Sequence, residues 1–327
     1  MAREIAAPGG IAAMAGATEV LVARRPAWQR LLRTAVRRPL GTIGGGIVAL
    51  ICVAAVGAPL VARYDPAQSF QIQNSHYNPN VASDKGYNTT TALDQYVQDS
   101  KSAPSAKHWL GTDEAGRDVW SRIIWGARRS MGIGVPTMLL AVAVGAMLAV
   151  VSGYFGGIVD TLMQRVLDAF QAFPSLLLLL LIGSAFDLNA RNLVLSLAFV
   201  GVAQVSRVVR SKVLTLRELP FVEAGRVLGA TDLRLMVRHI LPNTMGTVIV
   251  VFTIGIGSVI LAEASLAFLG LTHAGVSWGM MLNSGRNFIN SSPWQAVFSG
   301  AAITLAVLGF NLLGDTLRDV LDPRLRI

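Results

Sequence analysis

Six apolar stretches are spaced along this chain, at residues 40–62, 131–154, 162–186, 193–213, 244–269 and 294–313. Each is about as long as the roughly 20 residues a helix needs to cross a bilayer. The third is interrupted near Pro174, where a helix must kink or break. The pattern predicts an all-α polytopic membrane protein with six transmembrane helices. The first stretch is too long for a signal-peptide core, and Pro59-Leu60-Val61-Ala62-Arg63 makes a poor cleavage site, so it reads as an uncleaved first helix. Gly44, Gly45, Gly46 and Gly57 along it allow close helix contact.

The polar segments between these stretches differ in character. Residues 64–107 are rich in Asn, Asp, Ser, Thr and Tyr without periodicity, and read as a long loop. Next comes Trp109-Leu110-Gly111-Thr112-Asp113-Glu114-Ala115-Gly116-Arg117-Asp118. Residues 119–130 follow with Val119, Ile123 and Ile124 alternating with Arg122, Arg128 and Arg129, which predicts an interfacial helix capped by Thr112 or Asp113. Asp113, Glu114 and Asp118 resemble a metal cluster, but no second cluster supports them, and no metal is assigned.

Composition removes several classes. Apolar residues make up 53% of the chain and charged ones 14%, against about 25% charged in a soluble domain. The net charge of +9 marks membrane edges rather than nucleic-acid binding, because basic residues collect on the cytoplasmic side. The single cysteine, Cys52, excludes an internal disulfide. Arg24, Arg25, Arg30, Arg33, Arg37 and Arg38 hold the amino terminus inside, so six crossings return the carboxy terminus inside as well. The same count puts residues 214–243 in the cytoplasm, and seven Lys/Arg against three acids over 207–238 agree with it. Arg128 and Arg129 fall outside by this count, against the rule. The resulting division is a cytoplasmic tail (1–39), a first span (40–63), an extracytoplasmic loop with the interfacial helix (64–130), a permeating core (131–315) and a cytoplasmic tail (316–327).

The most unusual polar segment is 217–242. Helix formers over 217–228 with Pro220 near the start end at Gly229, Thr231 or Asp232 caps a second helix over 233–241, and Pro242 stops it. Leu233, Met236, Val237 and Ile240 share one face of that second helix, while Glu223, Arg226, Arg234 and Arg238 are polar. Two readings fit: an elbow on which a partner docks, or an amphipathic loop lying on the membrane. The chain contains no Gly-x-x-x-x-Gly-Lys-Ser/Thr phosphate loop, no metal spacing among its four histidines and no nucleophile elbow, so it reads as non-catalytic.

Glu223-Ala224-Gly225, Gly229 and Leu241-Pro242 resemble the EAA loop of ABC-importer permeases, with Gly225 in place of Ala and His239 in place of Ile. The 109–118 segment resembles the LGTDxxGRD stretch of the second, C-type permease subunit of dipeptide, oligopeptide and nickel importers. Gly153-Tyr154-Phe155-Gly156-Gly157, Glu263-Ala264-Ser265-Leu266-Ala267-Phe268-Leu269-Gly270 and Asn311-Leu312-Leu313-Gly314-Asp315 fall in that family's order. The resemblance implies a type I importer permease fold with the EAA coupling loop in the cytoplasm of a bacterial cell. It implies ATPase coupling through Glu223, Ala224, Gly225, Arg226, Gly229, Leu241 and Pro242. Glu263, Ser265 and Phe268 are candidates for the translocation path, a carboxylate at membrane depth being costly. Asp168 and Asp315 read as structural partners. The implied partners are a homologous permease subunit, two ATP-binding subunits, an extracytoplasmic solute-binding protein, membrane lipid and a short peptide. ATP and Mg belong to the partner subunits, and this chain carries no cofactor. Nickel or another small solute is the alternative cargo. An ion-coupled transporter would need more paired intramembrane charge than the chain offers, and a receptor without transport is the remaining alternative. The 64–107 loop is expected to touch the binding protein or the partner subunit.

Overall fold

The computed structural model describes residues 39–73, 96–272 and 275–321. The basic amino-terminal run, half of the polar loop (residues 74–95), residues 273–274 and the last six residues lie outside them. Eleven α-helices are described: α1 (Pro39–Val56), α2 (Ala58–Val61), α3 (Val119–Phe155), α4 (Gly157–Gln171), α5 (Ser175–Ala185), α6 (Ala190–Arg217), α7 (Pro220–Val227), α8 (Asp232–Leu235), α9 (Leu241–Phe268), α10 (Trp278–Arg286) and α11 (Trp294–Leu321). β1 (Gln71–Gln73) pairs antiparallel with β2 (Tyr96–Gln98), Ile72 opposite Val97. Among the described residues five helical runs are long and apolar enough to cross a membrane, and a sixth crossing follows if α4 and α5, bent by 78°, are one span.

α3 and α6 pack most closely because small residues line the seam. A Cβ at Gly145 would stand 2.9 Å from the Val202 carbonyl and from Val205. α11 packs against both α1 and α9. Gly44 does for α1 what Gly145 does for α3, since a Cβ there would come within 2.6 Å of Leu312 and 2.7 Å of the Leu313 nitrogen. Gly46, two residues on, faces open space. The glycines of the first span are therefore not equivalent, and only one helical face is a contact.

Several boundaries differ from the sequence expectation. No interfacial helix stands apart at 119–130; those residues are the first turns of α3, which is 37 residues long. At 1.5 Å per residue that is about 55 Å, well beyond the ~30 Å hydrocarbon core. Nothing between 119 and 135 lacks an amide hydrogen, so the ladder continues; Pro136 is accommodated inside the helix. The cap is Asp118, which accepts from the Ser121 amide at 2.8 Å, rather than Thr112 or Asp113. Arg128 therefore sits on a projecting turn, stacked 5.4 Å from the Trp125 ring centroid. At the other end, α11 runs to Leu321, so residues 316–321 continue the span instead of forming a tail. Asp168 does pair across helices, with Arg207 at 2.7 Å.

Candidate functional site

The elbow is built by local rules. Pro220 occupies the first turn of α7, where its missing amide hydrogen costs nothing. α7 ends in a Schellman closure: the Ala230 amide donates to the Gly225 carbonyl at 3.0 Å and the Gly229 amide to that of Arg226 at 2.9 Å. The closure requires φ > 0, and Gly229 supplies +79°. Thr231 caps α8 through the Arg234 amide. Leu235 lies against Gly225, where a Cβ would come within 2.7 Å of its Cδ2. This packing is the physical counterpart of the glycine at that position.

Pro242 does not stop the second helix. α8 passes through a π-helical turn, Met236–Ile240, directly into α9, with Pro242 in the first turn of α9. The extra residue per turn shifts the register. Leu235, Met236 and Ile240 are buried, whereas Leu233 and Val237, expected on the same face, are exposed. Val222, Leu235, Met236 and Ile240 anchor the elbow to the bundle, each contributing about 1.5–3 kcal/mol relative to exposure. The Tyr154 hydroxyl donates to Asp232 at 2.5 Å, Arg226 lies 5.3 Å from the Tyr154 ring centroid, and Arg217 donates to the Gly153 carbonyl at 3.0 Å. The elbow is thus tied to the last turn of α3.

Its free face carries Glu223, Ala224, Arg226 and Gly229, all exposed. Beside them Val227 and Leu228 are 83% and 87% exposed and Leu233 68%. Leu241 is half-buried and Pro242 is exposed at the start of α9. Pairing with the Tyr154 hydroxyl holds the Arg226 guanidinium above its ordinary range. The surface therefore presents an apolar crest flanked by an acid and a permanent cation.

Beside α5, α6 and α9 lies a groove of about 1180 Å³, lined also by Met138, Arg318 and Leu321. Gln204, Lys212, Thr247 and Ser258 give it a polar lining. None of these was assigned to a path from the sequence; Lys212 was read only as part of the basic end of the fourth span. The legible signal was weak: isolated polar residues at helical spacing in otherwise apolar spans. Glu263, Ser265 and Phe268 lie outside this groove. Ser265 donates back to the Leu261 carbonyl at 2.8 Å, and Phe268 sits 5.0 Å under the Arg286 guanidinium. Glu263 is buried at the far end of α9, and neither oxygen makes a hydrogen bond of ordinary geometry; Ser277 and Arg129 are its polar neighbours. The three residues do not converge on one another.

The 109–118 segment forms a buried polar knot. Asp118 accepts from His108 Nδ1 at 2.9 Å and from Ser121 Oγ at 2.8 Å, and Asp113 accepts from Arg117 Nε at 2.7 Å. Arg122 stands 3.5 Å from the same Asp113 carboxylate. Among the described residues no group of three His, Cys, Asp or Glu has the geometry to hold a metal ion. These acids set the start of α3.

The sequence over 132–327 matches the family described as binding-protein-dependent transport system inner membrane component, and 27–80 matches the N-terminal transmembrane domain of oligopeptide transport permease C. A dipeptide transport system permease protein of Alkalihalophilus pseudofirmus is 43% identical over 225 residues, 68% of this chain and 74% of that one. Glutathione transport system permease proteins are similar over nearly the whole length. The one from Pectobacterium atrosepticum is 33% identical over 304 residues, 92% of this chain and 93% of that one. The one from Escherichia coli is 34% identical over 304 residues, 92% of each.

Proposed function

The chain belongs to the binding-protein-dependent transport system inner membrane components, and from that premise we propose that it is the C-type permease subunit of an ATP-driven importer of short peptides. It has the type I importer permease fold and forms half of a translocation pore. The observation that carries the reading is the elbow: an exposed apolar crest, rigidly tied to α3, that runs without a break into the groove-lining helix α9. A push on Leu228 or Leu233 is therefore delivered to the wall of the groove. The peptide-transporting relatives support the cargo class.

In this reading the bundle end bearing the elbow faces the cytoplasm of a bacterial inner membrane, with both termini on that side. Glu223 to Gly229 enter a groove on an ATP-binding subunit, one of two, while Leu241-Pro242 fix the exit into α9. A homologous permease subunit completes the pore, and an extracytoplasmic binding protein delivers cargo. ATP binding draws the ATPases together and opens the pore outward; hydrolysis resets it. The direction follows from differential affinity of the ATPase dimer for the two pore states. ATP and Mg are handled by the partners, since this chain has no phosphate loop. The test combines Glu223→Arg with Gly229→Pro. Co-purification of the ATPase and ATP-driven peptide uptake are both expected to fail, and survival of both refutes the coupling role.

A further inference from the structure

The groove carries an asymmetry of charge that coupling alone does not use. Among the described residues its only ionisable lining groups are Lys212 and Arg318, both at the elbow end. The other bases on the last turns of α6 are neutralised within the chain. Arg207 pairs with Asp168, Arg210 with Asp160 and Arg217 with Glu218. Lys212 and Arg318 make no ion pair among the described residues. Further along, Gln204, Thr247 and Ser258 offer uncharged hydrogen-bonding groups that have no partner among the described residues. The α6 wall runs from Leu197 to Thr215, a length of about 27 Å at helical rise. An extended peptide of two to five residues spans about 7–17 Å, so it fits inside.

We propose that Lys212 and Arg318 form a carboxylate station at the inner mouth of the pathway. It takes the side-chain carboxylate of acidic cargo peptides and so favours anionic over cationic side chains. The proposal rests on the transport reading above. A polar groove that, among the described residues, holds two unpaired cations at one end and no acid lowers the energy of an oxyanion there and raises that of an ammonium, the more so where water is sparse. A lipid headgroup phosphate offers the same oxyanion chemistry, and the experiment separates the two sources.

The complete complex is reconstituted in proteoliposomes with its binding protein. ATP-dependent uptake of Ala-Glu-Ala and Ala-Lys-Ala is measured for wild type, Lys212→Gln/Arg318→Gln, Lys212→Glu and the conservative Lys212→Arg/Arg318→Lys. The double Gln variant is expected to lower the anionic-to-cationic uptake ratio about fivefold, in the range of partly exposed charge pairs. Lys212→Glu lowers it further, and the conservative pair preserves it. Affinity of the binding protein, a separate polypeptide, stays constant and normalises the ratio. An unchanged ratio, or equal loss of both peptides, overturns the station. So does a wild-type ratio that tracks the phosphatidylglycerol content of the vesicles, which assigns the cations to lipid. Absence of ATP-dependent uptake of either peptide by the wild-type complex overturns the transport reading itself.

Discussion

Replacing Gly229 separates backbone conformation from contact, because a Cβ there meets nothing within 4 Å. The cost of a side chain is then the cost of φ +79° alone. For an L-residue in the left-handed region this is about 1–2 kcal/mol. Part is offset by the smaller unfolded-state freedom of Ala, worth about 0.4–1 kcal/mol. Gly229→Ala should therefore weaken the closure of α7 by about 1 kcal/mol, which is about fivefold in a local opening equilibrium. Asn, which tolerates this region, should cost about half as much. Val, β-branched, should cost more than Ala. Pro removes the amide that donates to Arg226 and fixes φ near −65°, at about 3 kcal/mol or more. Hydrogen exchange of amides 225–235 in the purified complex reads the opening directly, with peptide uptake measured in parallel. The expected order is Asn, Ala, Val, Pro in both readouts. If Asn and Ala exchange like wild type, the closure does not need the left-handed residue. If all four variants lose uptake equally without faster exchange, Gly229 acts through contact with a partner and the conformational argument fails.

Three further outcomes follow from packing. Tyr154→Phe keeps the ring under Arg226 but removes the hydrogen bond to Asp232, at about 1 kcal/mol; it should lower peptide transported per ATP hydrolysed while leaving complex assembly intact. Asp118→Ala strips the cap of α3 together with the His108 and Ser121 bonds, and should destabilise the purified protein by about 3 kcal/mol; a thermal-shift measurement should place Asp118→Asn between it and wild type. On α1, Gly44→Ala must push against Leu312 and the Leu313 backbone and should cost about 1–3 kcal/mol. Gly46→Ala enters open space and should be neutral or gain up to about 1 kcal/mol, so thermal inactivation should separate two variants placed two residues apart.

Much of the elbow's local structure was legible in the sequence. Glu223, Gly229 and Thr231 stand where helix-end chemistry puts an acid in a first turn, a left-handed closure and a cap, and each of those signals needs only three or four neighbouring residues. The buried face of the second elbow helix was not, because a π-turn over Met236–Ile240 offsets the 3.6-residue period on which the face was counted. Helix α10 was missed for a different reason. Its nine residues are too short and too polar on average to stand out beside the spans, and it is held by Trp278, whose indole nitrogen donates to the Ile123 carbonyl at 2.9 Å across 155 residues of sequence.

Residue chemistry along the chain determined that this protein spans a membrane, broadly where it does so, and that one polar elbow interrupts the crossings. Apolar run length and helix-end residues are local quantities, and bilayer thickness converts the former into spans. Tertiary structure showed that residues 119–130 extend a span instead of lying flat, held there by Arg122 against Asp113 and by the Trp278 indole on the Ile123 carbonyl. It also decided that Gly44 is a contact and Gly46 is not, and that Glu263 sits apart from the groove that Gln204, Lys212 and Thr247 share. Hydropathy cannot tell a side chain facing lipid from one facing another helix. The difference lies in which distant face arrives opposite it.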